Sequence, residues 1–258
     1  MANLLGDDGN NRIDGSEFGD SILGLKGDDD LYGNQGNDWI EAAEGDDYLD
    51  GGSDNDTLIA FEGNDNIYVG FGDDLAFGNK GNDLIDDDGG RDIFLGGEGD
   101  DRVYGRDGDD LINGNIGNDD VDGGFGDDTV NGGQNDDNVY GNDGVDLVSG
   151  DRGNDYMSGG SGADTLIAGL GQDRMNGGNG NDLFWFSPGT GFDFIEDFTN
   201  GSDVIVLTGG LSFADLNISV SSQDSRDTII QVRSTGEFLC TLDSVNAATI
   251  DASDFRVI

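Results

Sequence analysis

From Asp20 to Asp182 an aspartate recurs at every ninth residue without a miss: Asp20, Asp29, Asp38, Asp47, Asp56, Asp65, Asp74, Asp83, Asp92, Asp101, Asp110, Asp119, Asp128, Asp137, Asp146, Asp155, Asp164, Asp173 and Asp182. Carboxylates on so even a pitch offer no distinct acid and base, so paired-carboxylate hydrolysis has nothing to select a pair. Interleaved with glycine, they suit a different chemistry. They are hard oxygen donors for a divalent cation, and main-chain carbonyls can complete the ligand set. Other chemistries are withheld. The chain has no histidine, which excludes an HExxH zinc site, a Ser–His–Asp triad and an imidazole base. No G-x-S-x-G elbow occurs, and Gly160-Ser161-Gly162 belongs to the repeat. The single cysteine, Cys240, permits no internal disulfide and reads as a small buried hydrophobe. With 56 acidic and 11 basic residues among 258, the formal charge is −45, which repels nucleic acid and anionic membranes and leaves cations as partners.

The elements that position these carboxylates come from a strict frame. From Gly6 to Trp185 the chain divides into twenty consecutive nonapeptides, such as GLKGDDDLY (24–32) and GGEGDDRVY (96–104). Position 6 is Asp in every unit but the first, which has Asn11; position 8 is apolar in all twenty, from Ile13 to Phe184. Position 4 is Gly except at Phe18, Asp54 and Asn135. Glycine at 48 positions and an acidic composition suggest disorder in bulk. A frame held for so long implies stacked structure instead.

The pattern G-G-x-G-x-D-x-U-x resembles the RTX (repeats-in-toxin) calcium-binding nonapeptides. The resemblance implies an all-β fold: a right-handed parallel β-roll in which positions 1–6 form a turn, positions 7–9 form a short strand, and two units complete a coil. It implies metal ligation by the nineteen aspartates, with Ca²⁺ between the turns of units n and n+2, each carboxylate bridging two ions, and up to about 18 ions in all. That many ions would nearly neutralise residues 1–185, whose net charge is −37. The off-pattern turns at Asn11, Phe18, Asp54, Val69, Asp87 and Asn135 are expected to weaken or delete particular sites. An EF-hand loop, the other calcium motif, is matched nowhere.

With position 8 inward, positions 7 and 9 face out. One outer face carries Asp14, Tyr32, Asp50, Tyr68, Asp86 and Tyr104 and reads as wetted, with a neutral-glycan or adhesin surface as the alternative. The other carries an apolar strip that includes Trp39, Ile59, Phe77, Leu95 and Leu111. Such a strip is expected to be covered, by the chain's own C-terminal segment, by self-association or by a partner. Thr rows of the ice-binding kind are absent at position 3.

The expected organisation is an N-terminal cap over 1–5, the roll over 6–185 and a β-rich capping region over 186–258. There, the runs Asp203–Leu207, Leu216–Val220, Thr228–Val232 and Glu237–Leu242 predict antiparallel strands. Phe184, Trp185, Phe186, Phe192, Phe194 and Phe198 are expected to close the end of the core, and Leu4 and Leu5 the other end. MANLLGDDGNN lacks the basic and apolar parts of a signal peptide, and no apolar run approaches membrane length. The ending Asp254-Phe255-Arg256-Val257-Ile258 is similar to the tails of type I secretion substrates. Together these features imply a secreted, extracellular, non-enzymatic calcium-binding protein with no membrane insertion, which folds on meeting Ca²⁺ outside the cell and acts as a scaffold or surface protein.

Overall fold

An apolar residue at position 8, repeated every nine residues, gives each unit one strand that turns this side chain inward and its two neighbours outward. The computed structural model describes residues 2–258, in two compact units, Met1–Asn131 and Gly132–Ile258. Each is a parallel β-roll. In the first, Ser21–Lys26, Trp39–Glu44, Thr57–Glu62, Leu75–Lys80, Ile93–Glu98 and Leu111–Ile116 stack in parallel into one sheet. Asp30–Gln35, Tyr48–Ser53, Asn66–Phe71, Leu84–Asp86, Arg102–Tyr104 and Asp120–Phe125 build the other. Each residue pairs with the one 18 positions on, as Ser21 with Trp39 and Asp30 with Tyr48, so two nonapeptides make one coil. In the second unit the same register joins Asn138–Asp143 to Tyr156–Ser161 and Leu147–Arg152 to Thr165–Ile167.

The core is the column of position-8 side chains. Ile22, Ile40, Leu58, Ala76, Phe94 and Ile112 on one sheet are fully buried, as are Leu31, Leu49, Ile67, Ile85 and Val103 on the other. Most strands run six residues rather than the expected three, covering positions 7–9 and on through positions 1–3 of the next unit. Position 1 therefore also faces inward, and Ala42, Ala60 and Val69 are buried there. At Gly33 it is space rather than a positive φ that glycine supplies: a Cβ there would lie 2.5 Å from both Asp38 Oδ2 and the Gly51 carbonyl.

Position 4 is different, because the preceding coil's backbone passes close to it. Gly63 has φ +151, and a Cβ there would sit 1.7 Å from the Gly45 carbonyl. Gly63→Ala should cost at least about 2 kcal/mol and lower Tm by roughly 4–8 °C. Gly201→Ala meets nothing within 4 Å, so calorimetry on the two variants should show a clearly smaller loss there.

Parallel stacking continues past Trp185. Asp193–Ile195 pairs in parallel with Arg174–Asn179, and Val204–Leu207 with Leu183–Phe186; Phe238–Leu242 and Phe255–Val257 then add to these in turn. Leu216–Val220, Thr228–Val232 and Phe238–Leu242 form the antiparallel part. The expectation of an antiparallel strand at Asp203–Leu207 is thus corrected: Asp203 and Ile205 reproduce positions 6 and 8, and the strand follows the stack. Phe184, Phe186 and Phe198 are buried, with the Phe184 and Phe198 rings 6.2 Å apart. Phe192 packs on Phe194 and Phe238 at 5.0 and 5.3 Å. At the other end Asn3–Leu5 pairs with Ser21–Lys26, and Leu5 is 68% exposed. Adjacent strand residues point to opposite faces, so Leu4 alone can extend the core.

The apolar strip on the first unit is partly open in the single chain. Trp39 and Leu111 are both 46% exposed, while Ile59, Phe77 and Leu95 are half-buried. The chain's own C-terminal strands lengthen the sheets of the second unit edge to edge, where main-chain hydrogen bonds are available. On the opposite face Tyr48 enters between Tyr32 and Tyr68, with ring separations of 5.5 and 5.3 Å. No helix among the described residues is long and apolar enough to cross a membrane.

Candidate metal centre

Position 6 lies where the turn re-enters the sheet, and its side chain is turned inward. All nineteen aspartates are buried, none more than 3% exposed. The fold lines them into columns. Asp29, Asp47, Asp65, Asp83, Asp101 and Asp119 stand on one edge of the first unit, and Asp20, Asp38, Asp56, Asp74, Asp92, Asp110 and Asp128 on the other. Along the columns Oδ1 accepts a backbone N–H from one coil earlier, that of Ala2 at Asp20, of Asn11 at Asp29 and of an aspartate in later rungs: Asp47 N–H donates to Asp65 at 2.7 Å, and Asp56 N–H to Asp74 at 2.6 Å. The second unit repeats this with Asp155 on Asp173 and Asp164 on Asp182. The aspartates therefore join coils directly, a role that sequence reasoning did not assign them.

The second oxygen is left over. Oδ2 of Asp29, Asp38, Asp47, Asp56, Asp65, Asp74, Asp83, Asp92, Asp101 and Asp110 is buried without a hydrogen-bond partner, as it is in Asp155, Asp164, Asp173 and Asp182. A buried charged oxygen without a partner is costly, and a whole column of them calls for a counter-charge. Burial, reinforced by neighbouring carboxylates, pushes Asp56, Asp65 and Asp101 up to about 8, and Asp110 to about 7. A hard divalent cation fits this set: one carboxylate oxygen per rung, with turn carbonyls to complete the shell. Among the described residues no three acidic, thiol or imidazole side chains converge, so main-chain oxygens would have to supply the rest.

The terminal rungs behave differently. Asp20 Oδ2 accepts from both the Ser16 hydroxyl, at 2.7 Å, and the Ser16 N–H, at 2.8 Å, which with Ala2 N–H hold its pKa at about 2. Asn11 Oδ1 accepts from Asp7 N–H at 2.7 Å, and Asp203 Oδ2 from Thr199 N–H at 2.7 Å. In these turns a backbone N–H closes on the position-6 side chain. Elsewhere position 2 turns that N–H away by adopting a positive φ, as at Leu25 (+92), Ala43 (+101) and Phe61 (+83). The off-pattern residues are absorbed in various ways. Asp54 and Asn135 take φ +77 and +78 in place of the position-4 glycine, a conformation these residue types tolerate. Val69 is buried, and Phe18 is 68% exposed.

Two features were not foreseen. Asp193 and Asp203 continue the columns: Asp173 N–H donates to Asp193 Oδ1 and Asp182 N–H to Asp203 Oδ1, both at 3.1 Å. The signal was the D-x-U triplet at Asp193–Ile195 and Asp203–Ile205, displaced by short insertions. A second ladder runs on the surface at position 5, in the opposite sense: Asn64 N–H donates back to Asp46 Oδ1 at 2.8 Å, and Asn118 N–H to Asp100 Oδ1 at 2.9 Å. Asn or Asp occupies position 5 in fifteen of the twenty units, a regularity that could have shown it.

The family model for the RTX calcium-binding nonapeptide repeat (4 copies) matches ten overlapping segments between residues 5 and 195, from 5–40 to 158–195. Among solved structures, the AlgE6R2 subunit of the Azotobacter vinelandii mannuronan C5-epimerase is 28% identical over 48% of this chain and 90% of its own, with a TM-score of 0.38. The AlgE6R3 subunit of the same organism's enzyme is 28% identical over 51% and 78%, with a TM-score of 0.23. The extracellular lipase LipA of Serratia marcescens is 18% identical over 70% of this chain and 40% of its own, with a TM-score of 0.39. No curated protein sequence matches.

Proposed function

The chain belongs to the RTX calcium-binding nonapeptide-repeat family, and from that premise we propose that it is a secreted structural protein whose fold is completed by calcium held along both edges of the roll. The observation that carries this reading is the column of buried, unpartnered Oδ2 atoms. Oδ2 of the position-6 aspartates would hold the ions, together with turn carbonyls. Bound calcium supplies the positive charge that lets these carboxylates remain ionised while buried. The rest lies with the chain. Its aspartates repel one another, and glycines at 48 positions add conformational entropy, so the free chain stays open where calcium is scarce. A scaffold or cell-surface role suits a fold built around its carboxylate ladder. Export through a type I route, with the last residues as signal, belongs to the same reading.

The turns closed by their own N–H groups at Asn11 and Asp20 lower the ceiling from about 18 ions to about 16, and the added rung at Asp193, whose Oδ2 is also unpartnered, brings it to about 17. Native mass spectrometry of the purified chain in millimolar calcium should find a count near that figure. A chain that holds fewer than about five ions while fully folded would overturn the reading.

A further inference from the structure

One turn is built differently. In the unit 87–95, position 1 is Asp87, where the neighbouring coils carry Val69 and Gly105 and other units carry Ala42 or Ala60. Asp87 is only 6% exposed, and neither of its carboxylate oxygens has a hydrogen-bond partner. It lies against Asp92, itself 1% exposed, whose Oδ2 is also unpartnered. The backbone is altered as well. Among the twenty position-2 residues only Asp7, Ser16 and Asp88 lack the positive φ. Asp7 and Ser16 belong to the turns closed on a side chain; Asp88 N–H instead donates to the Gly70 carbonyl at 3.1 Å. No basic group enters this space, because Arg91 pairs outside with Asp73 at 3.3 Å and Arg106 with Asp86 at 2.7 Å.

We propose that Asp87 and Asp92 together hold a divalent cation, making this turn a two-carboxylate site among turns that each present one. The inference rests on the calcium-loaded reading above and adds to it a difference between sites. Two adjacent anions inside the roll need a counter-charge that no residue supplies, and two side-chain carboxylates bind a hard cation more tightly than one with carbonyls. This turn is accordingly the first to fill as calcium rises.

The test is native mass spectrometry across a calcium titration, with circular dichroism in parallel. The variants are Asp87→Ala, which restores the residue that units 42–50 and 60–68 use, Asp87→Asn, which keeps the shape should alanine fail to fold, and the exposed neighbour Asp88→Ala as control. The expected result is one ion fewer at saturation for both Asp87 variants, loss of the most tightly held ion, and a several-fold higher calcium midpoint for folding; the control should match the parent. If the two carboxyls merely share a proton, removing Asp87 leaves the count unchanged and lowers the calcium requirement, and the inference fails. A parent chain that takes up no calcium would instead sink the broader reading.

Discussion

Stripped of calcium by a chelator at neutral pH, the chain should lose its β-sheet circular dichroism in a single transition and expand to a radius of gyration of roughly 55 Å, the size of an unfolded chain of this length. The reason lies in the interior rungs. Asp38, Asp56, Asp74 and Asp92, and across the roll Asp47, Asp65 and Asp83, each bury an oxygen with no donor. Among the described residues no positive side chain is paired with them. The ion pairs of the first unit, such as Lys26–Glu44 at 2.5 Å and Lys80–Glu62 at 2.7 Å, are on the surface, and exposed pairs contribute about 0–1 kcal/mol each. The position-8 column is narrow, one side chain per strand, and must offset about 1–2 kcal/mol of backbone entropy per residue. Returning calcium should restore the signal cooperatively, because each rung contacts the next. X-ray scattering and circular dichroism on the same samples decide the matter: a chelated chain as compact and heat-resistant as the loaded one would remove calcium from the account of folding.

Acidification should act on the chelated chain in the direction opposite to ordinary acid denaturation. The folded-state pKa values of the ladder lie above the unfolded value of 3.8: about 8 for Asp56, Asp65 and Asp101, about 7 for Asp74 and Asp155, about 6 for Asp83 and Asp164. A raised folded pKa means that the folded form binds protons more readily than the unfolded one. Its stabilising contribution is complete below about pH 4 and is lost as pH rises through about 6 to 8. Between pH 8 and pH 5 the metal-free chain should therefore regain much of its sheet signal, protons standing in for the missing charge. With calcium present the same protons compete for Oδ2, so the calcium midpoint of binding should rise by roughly tenfold or more over that interval. Asp20, already held at about 2 by Ser16 and Ala2, takes no part. A chelated chain equally unfolded at both pH values would contradict the buried ladder.

Much of this architecture was legible in the residues. Ile22, Ile40 and Leu58 recur 18 apart because parallel stacking repeats one environment per coil, and their inward direction follows from strand alternation alone. Asp38, Asp56 and Asp74 were readable as a column for the same reason. What escaped depended on relations that a nine-residue frame does not display. The inward direction of position 1, and with it the crowding of Gly33 against Asp38, required knowing that the strand continues into the turn. Asp193 and Asp203 fall out of frame, although the stack accepts them because only D-x-U must align. Whether the turns at Asn11 and Asp20 close on themselves depends on the backbone at Asp7 and Ser16, which residue types do not declare. The exposure of Trp39 is of the same kind: apolar character shows that a surface seeks cover, not what lies over it.

The pairing of residue i with residue i+18 through the repeats also bears on how such a chain can change its length. A deletion of eighteen residues, Asn66 to Asp83 for instance, would bring equivalent rungs together and leave a shorter roll with each face unchanged. A nine-residue loss would transpose every later strand to the opposite sheet, setting Tyr rings beside Leu and Phe and breaking the faces in two. Evolution can therefore lengthen or shorten this molecule in whole turns, like a ruler cut only at its marks.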